Sequence, residues 1–322
     1  MRLSLPPVKG IDAKHRRGFI GQLIVPERDV EGEWTRFVLP SATGHRLTTA
    51  DGEVLYAFAK APKDGQVPVD GAVLIGPVPD RSSECIDLRA SKWLVHPAVG
   101  GPETGAARAR ETWLNGFRYV GEDEVTSGRI GLRRPQLGAL HAIHAHWSTS
   151  KDVATVVMPT GTGKTETMLA TLVSARCVRV LVLVPTDALR AQIALKFFTL
   201  GILKDPRSSL LQPGVVRPVV GMLTKMPATP EEVEEFFRQC NVVVTTSALA
   251  GRCSPEVQAR MAELCSHLFI DEAHDYKNLS RPSNSADLSV PDGAQRATDR
   301  LVLKRCRPPS ARNSDTFAWI PT

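Results

Sequence analysis

The chain has no apolar run longer than six residues, Val54–Ala59, in a length of 322. A membrane-spanning helix needs about 20, so none is expected. The N-terminus, MRLSLPPVKG, carries two prolines and a lysine where a secretory leader would hold its apolar stretch, and export is not expected either. Six cysteines (Cys85, Cys177, Cys240, Cys253, Cys265, Cys306) include no C-x-x-C pair. That spacing suits neither a zinc site nor a dense disulfide framework, and it fits free thiols in a reducing cytoplasm. No internal repeat or long low-complexity tract is present. Nor is the charge lopsided: 40 basic against 34 acidic residues give +6, which permits a polyanionic partner without requiring one. What is present is enough apolar sequence, 42% against 23% charged, to bury a core. At ~150 residues per domain the length suits about two.

The first hundred residues read as short strands, Phe19–Val25, Trp34–Leu39, Val54–Ala59 and Ala72–Ile75, between Pro, Gly and Asp clusters. They predict a small antiparallel β domain within residues 1–125. Glu103–Leu114 has helical character and stops at Asn115-Gly116. Beyond Leu132 helices alternate with apolar strands. Helices are expected at Pro135–Trp147, Lys164–Ala175, Ala188–Leu200, Pro230–Gln239 and Pro255–Leu264. Strands are expected at Thr155–Met158, Val178–Val184, Pro218–Leu223, Asn241–Thr245 and His267–Ile270. The alternation predicts an α/β fold, a parallel sheet with helices on both faces, over residues 126–285. Residues 286–322 are rich in Ser, Pro, Asn and Arg and are expected as a basic, partly disordered tail, helical only at Ala294–Arg305.

The strongest chemical signal is Met158-Pro159-Thr160-Gly161-Thr162-Gly163-Lys164-Thr165, which follows a strand and opens a helix. That is the context of a phosphate-binding loop. Small residues let successive backbone amides turn toward phosphates, the helix N-terminus adds its dipole, and Lys164 reaches the β- and γ-phosphates of ATP. The Thr165 hydroxyl is placed to ligate Mg²⁺. A strict G-x-x-x-x-G-K-[ST] pattern would need Gly at position 158, where Met158 stands. The second signal is Leu268–His274, an apolar strand ending in Asp271-Glu272 and lying 107 residues beyond Lys164. Asp271 can hold Mg²⁺ beside Thr165, and Glu272 can orient and deprotonate an attacking water. Taken alone, the same residues could be a strand followed by an acidic helix cap.

With both signals in place the chain resembles a superfamily 2 helicase or translocase of the DEAD/DEAH-box type. Met158–Thr165 looks like motif I of that family and Asp271–His274 spells its DEAH motif II. Pro185–Gln192 looks like motif Ia, Val242–Thr246 like the next nucleic-acid-contacting motif, and Arg134-Pro135-Gln136 like the adenine-reading glutamine element. The resemblance covers roughly residues 132–279 and implies a P-loop, RecA-like domain using ATP and Mg²⁺ on nucleic acid. It assigns ATP contacts to Gln136, Thr160, Gly161, Thr162, Gly163, Lys164 and Thr165. It assigns nucleic-acid contacts to Thr186, Arg190, Thr245 and Thr246, although threonines at strand ends also serve as ordinary helix caps. Asp271–Asn278, DEAHDYKN, is similar to the DE-x-H-x-x-K-N of Swi/Snf-type translocases and of helicase-like subunits in restriction and phage-defence systems. DNA is therefore the expected nucleic acid.

A second RecA-like domain, which the resemblance also implies, would need ~100–150 residues, whereas 51 follow Asp271. The expectation is an incomplete motor, with slow turnover unless a partner subunit supplies the missing half. Two rival functions share parts of this pattern, a P-loop kinase or GTPase-like switch and a non-catalytic nucleotide- and DNA-binding module. Three further features have ordinary readings. His141, His144 and His146 crowd one helix at a spacing that does not aim all three at one metal. Glu231–Glu235 begins a helix whose dipole favours carboxylates. Arg296, Arg300, Lys304, Arg305 and Arg307 suit either a nucleic-acid path or an exposed amphipathic helix.

Overall fold

A computed structural model describes residues 2–7, 21–23, 27–49, 53–63, 66–68, 70–77, 85–96, 104–126, 128–150, 153–159, 161–271 and 298–305. The N-terminal part is a curled sheet of β1 (Arg2–Leu5), β3 (Arg28–Val38), β4 (Thr43–Thr49), β5 (Val54–Phe58), β6 (Ala72–Ile75), β7 (Cys85–Asp87) and β8 (Lys92–Val95). Its order is β7-β1-β3-β4-β5-β6-β8. Period-two alternation sends Leu3, Leu5, Val30, Leu47, Leu55 and Leu74 to one face, where they pack as a core. Tyr56, Phe58 and Val73 form a smaller cluster with Phe37 on the other.

The expected antiparallel domain is corrected to a mixed sheet, because β1 pairs β7 and β5 pairs β6 in parallel. The connection between β5 and β6 is long enough for the return crossing that a parallel pair needs, about a dozen residues. The first expected strand, Phe19–Val25, appears as β2 (Gly21–Leu23) and leaves this sheet altogether. It pairs antiparallel with the edge of the second sheet at Gly221–Leu223. Gly21 and Gly221 leave the room that the Phe236 ring fills.

The second sheet contains β9 (Ala154–Pro159), β10 (Val180–Val184), β11 (Val220–Leu223), β12 (Val242–Thr246), β13 (His267–Ile270) and β14 (Thr298–Arg305). Its order is β2-β11-β12-β10-β13-β14-β9. Strands β11, β12, β10 and β13 pair in parallel. Because β14 is antiparallel to both β13 and β9, β9 runs with the parallel set. Around the sheet lie α2 (Arg134–Thr149), α3 (Lys164–Ser174), α4 (Asp187–Thr199), α5 (Pro230–Arg238), α6 (Ser247–Gly251) and α7 (Pro255–Leu264). The fully apolar β10, VLVLV, is buried at every position, as a strand covered on both faces requires.

The helix expected over Ala294–Arg305 is also corrected. Thr298–Arg305 is strand β14, with Leu301 and Leu303 both fully buried. Charges at every fourth residue suggested a helix. The Leu301/Leu303 alternation and backbone partners on both sides, from β13 and β9, favour the strand.

The two parts are fastened through α1 (Thr104–Thr112) and the chain after it. Buried Asn241 donates from Nδ2 to the Ala106 carbonyl at 2.8 Å, and Trp113 donates from Nε1 to the Val216 carbonyl at 3.0 Å. Arg28 of β3 makes a bidentate ion pair with Glu53 and lies 5.9 Å from the Phe198 ring of α4.

Candidate functional site

The carboxyl ends of β9, β13, β10, β12 and β11 share one edge of the second sheet, the edge where open α/β sheets bind ligands. After β9 the chain makes a tight turn. Gly161 and Gly163 have φ of +80° and +94°, left-handed values at which a side chain would cost roughly 1–2 kcal/mol. α3 then starts at Lys164. The Lys164 ammonium nitrogen is buried, not solvent-facing as a loop position would suggest. Thr162 donates from both its backbone N–H and its hydroxyl to the Pro159 carbonyl, at 3.2 and 2.6 Å. Thr165 is half-buried on the first turn of α3, whose following residues Thr167–Val173 are all buried. Glu166 pairs with Lys196 of α4 at 3.1 Å, joining the loop helix to its neighbour.

Gln136 is buried at the start of α2 and accepts from the Arg133 backbone N–H at 2.9 Å. Its Nε2 lies where a β-carbon on Gly163 would be. The glutamine therefore packs on the loop itself. Sequence reasoning missed Arg133, whose guanidinium donates to the Gly161 carbonyl at 3.1 Å. The only signal was a cation three residues before Gln136.

Asp271 follows β13, is buried, and donates from its backbone N–H to the Leu183 carbonyl of β10 at 3.0 Å. Its Oδ1 is enclosed. One strand, β14, separates β13 from β9, which sets the two strands about 10 Å apart. Thr160 and Glu272 lie outside the described residues. The donor set fits Mg²⁺, which takes one or two carboxylates with hydroxyl, phosphate and water oxygens and not a cage of protein ligands. Asp271 and Thr165 are hard oxygen donors of that kind, and among the described residues no group of three or more His, Cys, Asp or Glu gathers as a metal site.

Farther along the same edge, the Thr186 hydroxyl caps α4 by accepting from Leu189 N–H at 3.3 Å, and Thr246 caps α6 by accepting from Leu249 N–H at 3.2 Å. Thr245 is fully buried and donates to the Leu223 carbonyl at 3.3 Å. Its side chain has no surface to offer, because the β12 pleat turns it inward. Arg190 donates to the same carbonyl at 3.3 Å and pairs with Asp187 at 3.0 Å.

With this geometry in place, the chain can be compared with known families. Residues 133–290 match the DEAD/DEAH box helicase family. The segment is similar to helicase-like domains of superfamily 1 or 2, a type that binds and hydrolyses ATP and acts on nucleic acid. Neither curated proteins nor solved structures return a significant match. Among the described residues no helix is long and apolar enough to cross a membrane.

His141 and His144 of the same helix, α2, are engaged elsewhere. Tyr119 stacks on His141 with centroids 5.3 Å apart, and its hydroxyl lies 3.3 Å from His144 Nε2, itself 2.8 Å from Ser174 Oγ. Burial first, then repulsion from His141, lowers the His144 pKa.

Proposed function

We propose that residues 126–285 are the ATP-binding lobe of a DNA translocase or helicase, preceded by an accessory β-rich unit over residues 1–125. One observation carries the reading. The phosphate loop, Asp271 and the capped starts of α4 and α6 follow strands of one parallel set and lie along a single edge. In this reading Gln136 meets the adenine, and Lys164 with the amides of Gly161–Thr165 meets the phosphates. Glu272 takes a proton from the water that attacks the γ-phosphorus, while the bond from that phosphorus to the bridging oxygen breaks and ADP leaves. Thr165 and Asp271 would hold Mg²⁺, which would supply neutralisation of the triphosphate's charge. Thr186, Thr246 and Arg190 meet the phosphates of the nucleic acid, which positions a strand without reading its sequence.

The run Asp271–Asn278, DEAHDYKN, supports a restriction, phage-defence or Swi/Snf-like type and hence DNA. Four buried cysteine thiols outside any disulfide, Cys177, Cys240, Cys253 and Cys265, support a reducing cytoplasm. A second RecA-like lobe, on a longer chain or on a partner subunit, is required to close over ATP and to supply an arginine finger, worth ~10³–10⁵ in rate in other phosphoryl-transfer enzymes.

ATP turnover by the purified protein, alone and with single- or double-stranded DNA or RNA, tests this. A slow rate that rises with DNA is expected. Equal rates with and without every nucleic acid would reject a nucleic-acid motor, and no turnover at all would replace it with a non-catalytic nucleotide- and DNA-binding module.

A further inference from the structure

Arg133 and Thr162 hold one peptide plane from both ends. The Gly161 carbonyl accepts from the Arg133 guanidinium at 3.1 Å, and the N–H of the same peptide, on Thr162, donates to the Pro159 carbonyl at 3.2 Å. The Thr162 hydroxyl donates to that carbonyl too, at 2.6 Å. In this arrangement the Thr162 amide is spent inside the loop. A phosphate-binding loop works by turning such amides toward the anion. Gly161 has φ +80° and open space where a β-carbon would stand, so its peptide is free to rotate once released.

We propose that Arg133 is a positioning residue of the nucleotide site, a clamp that keeps the Gly161–Thr162 peptide turned away from the polyphosphate until a nucleoside triphosphate displaces it. The proposal rests on the ATP-binding reading above. Arg133 acts through the peptide and not on the base. Its backbone N–H is meanwhile tied to Gln136 at 2.9 Å, so the residue that meets the adenine and the residue that clamps the loop belong to one turn at the start of α2.

The clamp opposes binding, so its loss makes binding tighter. An exposed, charge-assisted hydrogen bond of this kind contributes a modest net amount, equivalent to about 3- to 10-fold in a dissociation constant. Arg133→Ala is expected to tighten ATP and inorganic triphosphate by the same factor within that range and to leave adenosine binding unchanged. Arg133→Lys keeps a long donor and is expected to restore the parental affinity.

Two measurements decide it: calorimetric titration of ATP, inorganic triphosphate and adenosine into the full chain and both variants, and amide hydrogen exchange at Thr162 without nucleotide. Faster exchange at Thr162 together with tighter triphosphate binding in Arg133→Ala supports the clamp. Weaker or unchanged triphosphate affinity overturns it, weaker binding showing that the guanidinium contacts phosphate directly. Unchanged Thr162 exchange also overturns it, whatever the nucleotide does. Failure of the parental chain to bind any triphosphate would reject the ATP-binding reading, and the exchange measurement would still test the clamp.

Discussion

The Gln136 side chain occupies the space that a β-carbon on Gly163 would need, so the start of α2 and the glycine-rich turn after β9 are packed as one unit. Gly163 also holds φ +94°. Gly163→Ala should therefore weaken ATP binding by at least about tenfold through both steric overlap and left-handed strain, the latter alone costing roughly 1–2 kcal/mol. Adding Gln136→Ala should relieve the overlap and leave the strain. Calorimetry on the single and double variants separates the two contributions, and a double variant no better than the single would show that the overlap is unimportant.

Glu272→Gln keeps the shape of a carboxylate and removes the base. It should bind Mg·ATP as the parental chain does and lose hydrolysis by at least about 100-fold, the low end of what a general base contributes. Single-turnover kinetics beside a binding titration check this. Parental turnover in the variant would remove Glu272 from the mechanism.

Much of the helicase-like segment was legible because its signals are contiguous. His267–Ile270 and Pro255–Leu264 match the observed strand and helix end to end, and the phosphate loop lies between a strand and a helix as its residues suggested. The N-terminal sheet was less legible. β4, TGHRLTT, points a single large apolar residue, Leu47, into the core, and β1, β7 and β8 have at most four residues, too few to establish a period. β14 was misread because its charges repeat with helical spacing, while its strand state depends on neighbours more than a hundred residues away for β9. Likewise nothing in the order of residues shows where the Arg133 guanidinium points, or that Thr245 faces inward while Thr246 caps a helix.

His96 should make the N-terminal sheet acid-sensitive. It is buried beside Trp93, ring centroids 4.6 Å apart. Burial, reinforced by Arg28 and opposed by Glu53, pushes its pKa down to about 4. An unfolded imidazole titrates near 6.5. Between about 6.5 and 4 the unfolded chain therefore binds the extra proton, and stability falls as pH is lowered through that window. The contribution is complete above about 6.5 and amounts to up to ~3 kcal/mol. Urea unfolding at about pH 7.5 and about pH 4.5 should show the loss, and His96→Gln should flatten it. An unaltered pH slope in His96→Gln would assign the acid sensitivity elsewhere.

Nucleic-acid binding should be electrostatic and indifferent to sequence, because the proposed contacts are helix starts, hydroxyls and an arginine that meet phosphates. Affinity for single-stranded DNA should fall linearly on a log–log plot against salt, with a slope of about −0.7 per phosphate neutralised. Scrambling the oligonucleotide should change little. A flat salt dependence or a strong preference for one sequence would point to base readout, with residues 1–125 the place to look.

The central claim is that the turn after β9 is an ATP site organised around Lys164. Its most direct test is calorimetric titration of Mg·ATP into the parental chain and into Lys164→Ala, with thermal unfolding of both proteins run alongside. The account predicts one saturable site in the parental chain and at least about tenfold weaker binding in the variant, both proteins being folded at the temperature of the titration. Equal ATP affinity in two folded proteins would contradict it.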